Sequence, residues 1–148
     1  MIKAVLFDND GVMSRWLMPR FKMRRLAKQL RQDGIKVGML SNVFWGVAQV
    51  YRLSRGYNGY DVLLLSYKER MAKPNPDFYM LAVKKFGLKP NEILFVDNRQ
   101  ELLEPAKKLG FKTLHSKSAR QLLIDLNHVI YKENKKQSLK RPHLIGRG

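Results

Sequence analysis

The chain has 148 residues, no cysteine, and 29 Lys and Arg against 12 Asp and Glu, a formal net charge of +17. That length holds one domain with a real core, and the lack of cysteine excludes a disulfide framework, a thiolate zinc site and cysteine nucleophilic chemistry. No apolar run approaches the ~20 residues of a membrane span, and the run at residues 4–7 is too short for a signal-peptide core, so a cytoplasmic protein is the default expectation.

Taken in chain order, short apolar runs alternate with helical patterns. Residues 3–7 read as a buried strand followed by Asp8, and Phe21, Leu26 and Leu30 recur at helical spacing with Gly34 as the stop. A second strand is expected at 35–40, a third at 61–65. Asn75 and Pro76 open a helix with Phe78, Leu81, Ala82 and Phe86 on one face, closed by Gly87. A fourth strand at 93–96 leads into a helix with Leu102, Leu103 and Ala106, and a fifth strand is expected at 111–114. Ser118 can cap a last helix bearing Leu122, Leu123, Leu126 and Ile130. Beyond Tyr131 the composition turns polar and basic, which divides the chain into a core domain at 1–131 and a basic tail at 132–148. Apolar runs of four to six residues suit strands covered on both faces. Strands alternating with helices imply crossovers and a parallel sheet, hence an α/β class.

In such a sheet, ligands bind beyond the carboxyl ends of the strands. The residues at those ends are chemically pointed: Asp8 and Asp10 after the first strand, Ser41 and Asn42 after the second, Lys73 before the helix at Pro76, and Asp97 and Asn98 after the fourth. Three carboxylates, a hydroxyl and an ammonium gather at one edge. His115, His128 and His143 show no metal-ligand spacing, and Trp16 and Trp45 read as packing residues.

The stretch from Val5 through Asp8, Asn9, Asp10, Gly11 and Val12 resembles the first motif of the haloacid dehalogenase-like superfamily. Gly38 to Asn42 resembles the second motif, Lys73 to Tyr79 the third, and Ile93 to Glu101 the acidic fourth, all in family order. The resemblance implies a three-layer α/β/α Rossmann-like domain with a five-stranded parallel sheet, the first strand lying between the second and fourth. It also implies a magnesium-dependent phosphatase. Asp8 would be the nucleophile and form an aspartyl-phosphate. Asp10 would be the general acid and base. Ser41 and Lys73 would hold the phosphoryl oxygens, and Mg2+ would take Asp8, the Asp10 backbone carbonyl and Asp97. The carboxylate at Asp10 favours phosphatase over the metal-free dehalogenase branch, where a halide needs no proton.

Several departures narrow the expectation. Only about thirty residues separate Asp10 from Ser41, one helix uses most of them, and a cap domain has no room; the capless form leaves a site open to large substrates. Asn98 stands where relatives often carry a second acid, and Arg70 where they often have Gly. Arg15 and Arg20 would lie at the mouth and, with Asn42, contact substrate, in a segment whose apolar Trp16, Leu17 and Met18 would suit a partner or second subunit. The positive charge attracts phosphorylated metabolites, nucleic acid or acidic surfaces. The alternative to a phosphatase is a basic binding module on the same scaffold, weak or inactive as an enzyme, docking on nucleic acid or a protein.

Overall fold

Alternate residues of the apolar runs point to opposite sides of the sheet, and in the central strands both sides are buried. In β1 (Ala4–Phe7), Val5 and Phe7 pack with Met23, Leu26 and Leu30 of α1 (Arg20–Gln32) and with Leu122 and Leu126 of α6 (Ala119–Ser138). Ala4 and Leu6 face the other way, onto Phe78, Ala82 and Phe86 of α4 (Pro76–Phe86) and Leu103 and Ala106 of α5 (Gln100–Lys108). The period of two in the strand and of about 3.6 in the helices therefore meet in two separate cores, one on each face. The computed structural model describes residues 1–8, 20–53 and 55–138.

With β2 (Lys36–Ser41), β3 (Val62–Leu65), β4 (Ile93–Asp97) and β5 (Lys112–His115), the strands form one five-stranded sheet in the order β3-β2-β1-β4-β5, every neighbouring pair parallel. This is the expected three-layer α/β/α domain, and no cap domain stands among the described residues. The central strand is buried along its whole length. Its register sets Leu6 opposite Gly38 on one side and Phe95 on the other.

The helix boundaries reflect local chemistry. The Asn75 side chain accepts a hydrogen bond from the Asp77 N–H at 2.9 Å, Pro76 fills the first helical position, and Gly87 closes α4 in the left-handed conformation at φ 65°. Ser118 Oγ accepts from the Gln121 N–H at 3.2 Å and so caps α6.

Two elements lie outside the sequence expectation. The residues between β2 and β3 form α2 (Trp45–Leu53), and β3 runs directly into the one-turn helix α3 (Ser66–Glu69). In α2 only Ala48 is buried, while Val50 and Leu53 stand 61% and 80% exposed, and Phe44 just before the helix 71%. Its apolar residues face solvent, so its pattern does not point to the core as the other helices' patterns do. Trp45, expected to pack, is likewise 66% exposed. The boundary drawn at 131/132 falls within α6, which continues to Ser138. Tertiary contacts hold it there: the Asn134 side chain accepts from the Ile2 N–H at 3.1 Å, and Lys112 pairs with Glu133 at 3.6 Å. Residues 139–148 of the basic tail lie outside the described residues.

A close backbone approach marks the sheet at Gly38. A Cβ there would stand 2.5 Å from Cζ of Phe86 and 3.1 Å from Cδ1 of Leu6. Gly38→Ala should therefore destabilise the domain by about 1–3 kcal/mol through overpacking, measured by urea unfolding, and Phe86→Leu in the same chain should restore part of the loss.

Candidate active site

The strand order reverses at β1, and the crevice between β1 and β4 opens at their carboxyl ends. Asp8 comes directly after β1, Asp97 ends β4 and Ser41 ends β2; all three are fully buried. The Asp8 N–H donates to the Val96 carbonyl at 2.9 Å, which fixes the two acidic strand ends side by side. Lys73 enters from the loop between α3 and α4. Its ammonium is buried and donates to Asp8 Oδ1 and, at 3.0 Å, to Asp97 Oδ2. The Phe95 ring lies 5.6 Å from the same nitrogen and forms an apolar floor.

The position of Lys73 is enforced through its backbone. The Asn42 amide donates to the Lys73 carbonyl at 2.9 Å and accepts from the Lys73 N–H at 2.8 Å. This reciprocal pair ties the loop to the end of β2. Asn42, expected to contact substrate, is thus engaged in placing the lysine. On the far side, Asp97 Oδ1 accepts from the Arg99 N–H at 3.0 Å, so Asp97 divides its two oxygens between the loop it begins and the ammonium.

The charges of this cluster are closely coupled. Two buried carboxylates share one buried ammonium, with the more exposed Arg99 guanidinium 3.9 Å from Asp97 as a second cation, and burying such a group of charges carries a desolvation cost. Burial pushes the Asp97 carboxyl above the usual carboxylate range; the Lys73 ammonium pulls it down, and the Asp8 charge pushes it up again. Tyr79, whose hydroxyl donates to the Leu102 carbonyl at 2.9 Å, is pushed up as well, by burial and then by Asp97.

Two buried polar atoms at the strand ends have no hydrogen-bond partner among the described residues: Ser41 Oγ and Asn98 Oδ1. Leaving such a group unpaired costs about 1–3 kcal/mol, so a buried orphan beside a charged cluster points to a ligand. The donor set fits a hard divalent cation. Asp8 and Asp97 oxygens meet on one ammonium, hence within about 6 Å of each other, and magnesium is commonly held by one or two carboxylates with water and substrate phosphate completing the shell. Asn98, where a second acid was the family expectation, still offers a buried oxygen. Among the described residues no group of three or more His, Cys, Asp or Glu gathers as a metal site. Asp10, the remaining donor expected, lies outside them, as do Arg15 and the side chain of Arg20, whose backbone opens α1.

Beside the cluster lies a cleft of about 500 Å³ lined by Asn42, Val43, Phe44, Tyr67, Arg70 and Met71 among others. Arg70 there adopts φ 54°, the left-handed conformation that favours glycine and explains the family preference at this position. Sequence reasoning overlooked Arg99. Its Nε lies 3.9 Å from Asp97 Oδ1, and its Nε and Nη2 lack a hydrogen-bond partner among the described residues. A cation two residues after the fourth-motif aspartate was the available signal.

Comparison with known proteins agrees with this fold. An uncharacterized protein from Corynebacterium glutamicum superposes with a TM-score of 0.75 at 18% identity, over 86% of this chain and 94% of that one, a likeness of fold. A haloacid dehalogenase family enzyme from Bacteroides thetaiotaomicron, solved with magnesium and inorganic phosphate, is 25% identical with a TM-score of 0.59 over 68% of this chain and 54% of that one. The sesquiterpene phosphatase astK of Aspergillus oryzae is 25% identical over 115 residues, 77% of this chain and 59% of that protein. The chain spans between 9% and 59% of the lengths of the first curated relatives it matches. The family model of haloacid dehalogenase-like hydrolases matches residues 14–110, well over half of the chain and including Ser41, Lys73 and Asp97, and the protein belongs to that family.

Proposed function

We propose that the protein is a magnesium-dependent phosphomonoesterase that works through an aspartyl-phosphate on Asp8. The observation that carries this reading is the buried cluster itself: one lysine shared by two carboxylates, beside a hydroxyl with no partner among the described residues. A site for phosphoryl transfer needs an in-line nucleophile, donors for the equatorial oxygens and cations that offset the repulsion between carboxylate and phosphate. At ~4 Å and an effective dielectric of ~20, each like-charged pair costs about 4 kcal/mol, and a phosphate dianion beside two carboxylates makes several such pairs, which cations must offset. When bound, magnesium would supply further positive charge between Asp8, Asp97 and the phosphoryl oxygens. The relatives that are a phosphatase, or that bind magnesium with phosphate, support the same reading.

In this mechanism a carboxylate oxygen of Asp8 attacks phosphorus, and an Asp8 O–P bond forms as the bond to the leaving oxygen breaks. Asp10 gives its proton to that oxygen. Lys73 N–H and Ser41 O–H donate to the phosphoryl oxygens, whose charge grows in the transition state. Asp10, now ionised, takes a proton from water, which attacks phosphorus and returns Asp8 as a carboxylate with release of inorganic phosphate. The leaving group has room in the cleft beside Asn42, where Phe44, Met71 and Arg70 offer both apolar surface and a cation.

Asp8→Asn should lose at least about a thousandfold in magnesium-dependent hydrolysis of an aryl phosphate while melting as a folded protein; full activity in this variant would overturn the nucleophile assignment. Ser41→Ala separates function from stability. It should lower kcat/KM about a hundredfold, and because it deletes an unsatisfied buried hydroxyl it should leave the unfolding midpoint unchanged or higher.

Asp97 gives a pH-dependent test. Its folded-state pKa is raised, so its protonation favours the fold. The associated stability is fully present below the ordinary value of 3.8 and is lost as pH rises through the raised value. In magnesium-free buffer at neutral pH, Asp97→Asn should therefore melt higher than the parent chain, and the difference should vanish at acid pH. The parent chain should gain about 2.7 kcal/mol in magnesium at a hundred times its Kd, and Asp97→Asn should lose that gain. Thermal melts across pH with and without magnesium would check both.

A further inference from the structure

Away from the strand ends, the described surface holds a second cluster of chemistry that phosphoryl transfer does not use. A cleft of about 310 Å³ runs between α1 and the turn after α2, lined by Arg24, Lys28 and Arg31 on the helix and by Arg55, Asn58 and Gly59 on the turn. No acidic residue lines it, and none of its four cations forms a salt bridge among the described residues. Four like charges held together without counter-charges work against folding, and such an arrangement is typical of a site awaiting an anion.

The cleft is organised as well as charged. Arg24 Nη2 donates to the Arg55 carbonyl at 2.7 Å, which ties helix to turn. Arg55 presents that carbonyl from φ 55°, a left-handed conformation uncommon outside glycine. Opposite it, Gly59 at φ 94° has the Arg31 guanidinium as its nearest neighbour, 3.4 Å from where a Cβ would stand. The fixed guanidinium fork of Arg suits phosphate oxygens, and here two such forks and an ammonium recur on one helix face.

We propose that this cleft binds the phosphodiester backbone of a nucleic-acid strand. The linear spacing carries the choice of ligand. Arg24, Lys28 and Arg31 succeed one another at four and three residues, so they share a face and span about 10.5 Å along the helix axis at 1.5 Å per residue. That is longer than a single phosphate needs and suits successive phosphates of one strand. Exposed Lys22 and Arg25 extend the same helix's positive surface toward its first turn, at the end of the sheet where Asp8 lies. The whole chain's charge of +17 favours encounter with a polyanion.

The test compares two charge-matched variants of the full chain. One carries Arg24→Gln, Lys28→Gln and Arg31→Gln. The other carries Lys84→Gln, Lys85→Gln and Lys107→Gln, exposed residues of α4 and α5 on the opposite face of the sheet. Anisotropy of a labelled single-stranded oligonucleotide of about 16 nucleotides, across a salt series, reads binding. The cleft variant should bind at least about tenfold more weakly at low salt, with a log–log salt slope shallower by about two units, from three contacts at about 0.7 each. The opposite-face variant should keep most of both. The cleft variant should remain folded by thermal melt, since the repulsion it removes offsets the lost Arg24 hydrogen bond to the Arg55 carbonyl, and should keep its turnover of a small aryl phosphate. Equal weakening by the two variants would assign binding to general charge and overturn the proposal. So would absence of oligonucleotide binding by the parent chain at low salt. Tripolyphosphate or polyglutamate binding that depends on Arg24, Lys28 and Arg31, with no oligonucleotide binding, would overturn the choice of nucleic acid as ligand. Turnover of aryl phosphate is scored separately, so failure of the phosphatase reading and failure of the cleft are told apart.

Discussion

A single buried ammonium holds the functional end of this molecule together. Lys73 donates to Asp8 at the end of the central strand and to Asp97 at the end of its neighbour. Neither carboxylate could be buried beside the other without it, because two like charges in a poorly polarisable interior repel by several kcal/mol. The lysine must therefore be delivered to the crevice between two specific strands, and much of the local structure serves that delivery. The Asn42 amide clamps the Lys73 backbone with two hydrogen bonds, the Asn75 cap and Pro76 start α4 just beyond it, and Phe95 closes the floor. Apolar residues of equal volume would fill this space with less desolvation. That a charge cluster is kept here instead is the physical signature of a site.

Burial of the acidic pair links stability to ligand. A cation between Asp8 and Asp97 would relieve the repulsion that burial imposes on Asp97, and a phosphate would give Ser41 Oγ an acceptor. On the phosphatase reading the site would be prepared at a cost in the free protein and compensated on binding, as preorganised electrostatics acts in phosphoryl transfer. Arg70 adds a smaller strain of the same kind, a non-glycine residue in the left-handed region at the rim of the adjoining cleft.

Charge outside the crevice is distributed with a different logic. α4 and α5 cover one face of the sheet with apolar contacts, and α1 with α6 cover the other. α1 does this with one side only. Its solvent side carries no acid and is mostly basic, and the turn after α2 brings Arg55 against it. Burial of Met23, Leu26 and Leu30 is what allows that side to carry so many cations. The apolar contact stabilises the helix by roughly 1.5–3 kcal/mol per large side chain, well above the repulsion between exposed charges.

The sequence by itself determined the sheet and the residues at its edge. Runs of four to six apolar residues between turn signals suit strands covered on both faces, and Asn75-Pro76, Gly87 and Ser118 mark helix ends through backbone chemistry that acts locally. Asp8, Ser41, Lys73 and Asp97 were legible because each lies at a strand end or precedes a helix start, and order along the chain fixes which end of a parallel sheet they reach. The fate of each side chain was decided only by tertiary structure. No local pattern says that Asn42 commits its amide to Lys73, that Ser41 Oγ finds no partner among the described residues, or that Arg99 stands 3.9 Å from Asp97. α2 was illegible for a related reason: its apolar residues face solvent, so periodicity pointed to no core. α6 passes the compositional boundary at Tyr131 because Asn134 and Glu133 find partners near the chain's start and on β5, more than a dozen residues away in sequence. Strands and caps are encoded by neighbours along the chain, whereas a shared ammonium or a cleft between a helix and a distant turn exists only once the chain has folded.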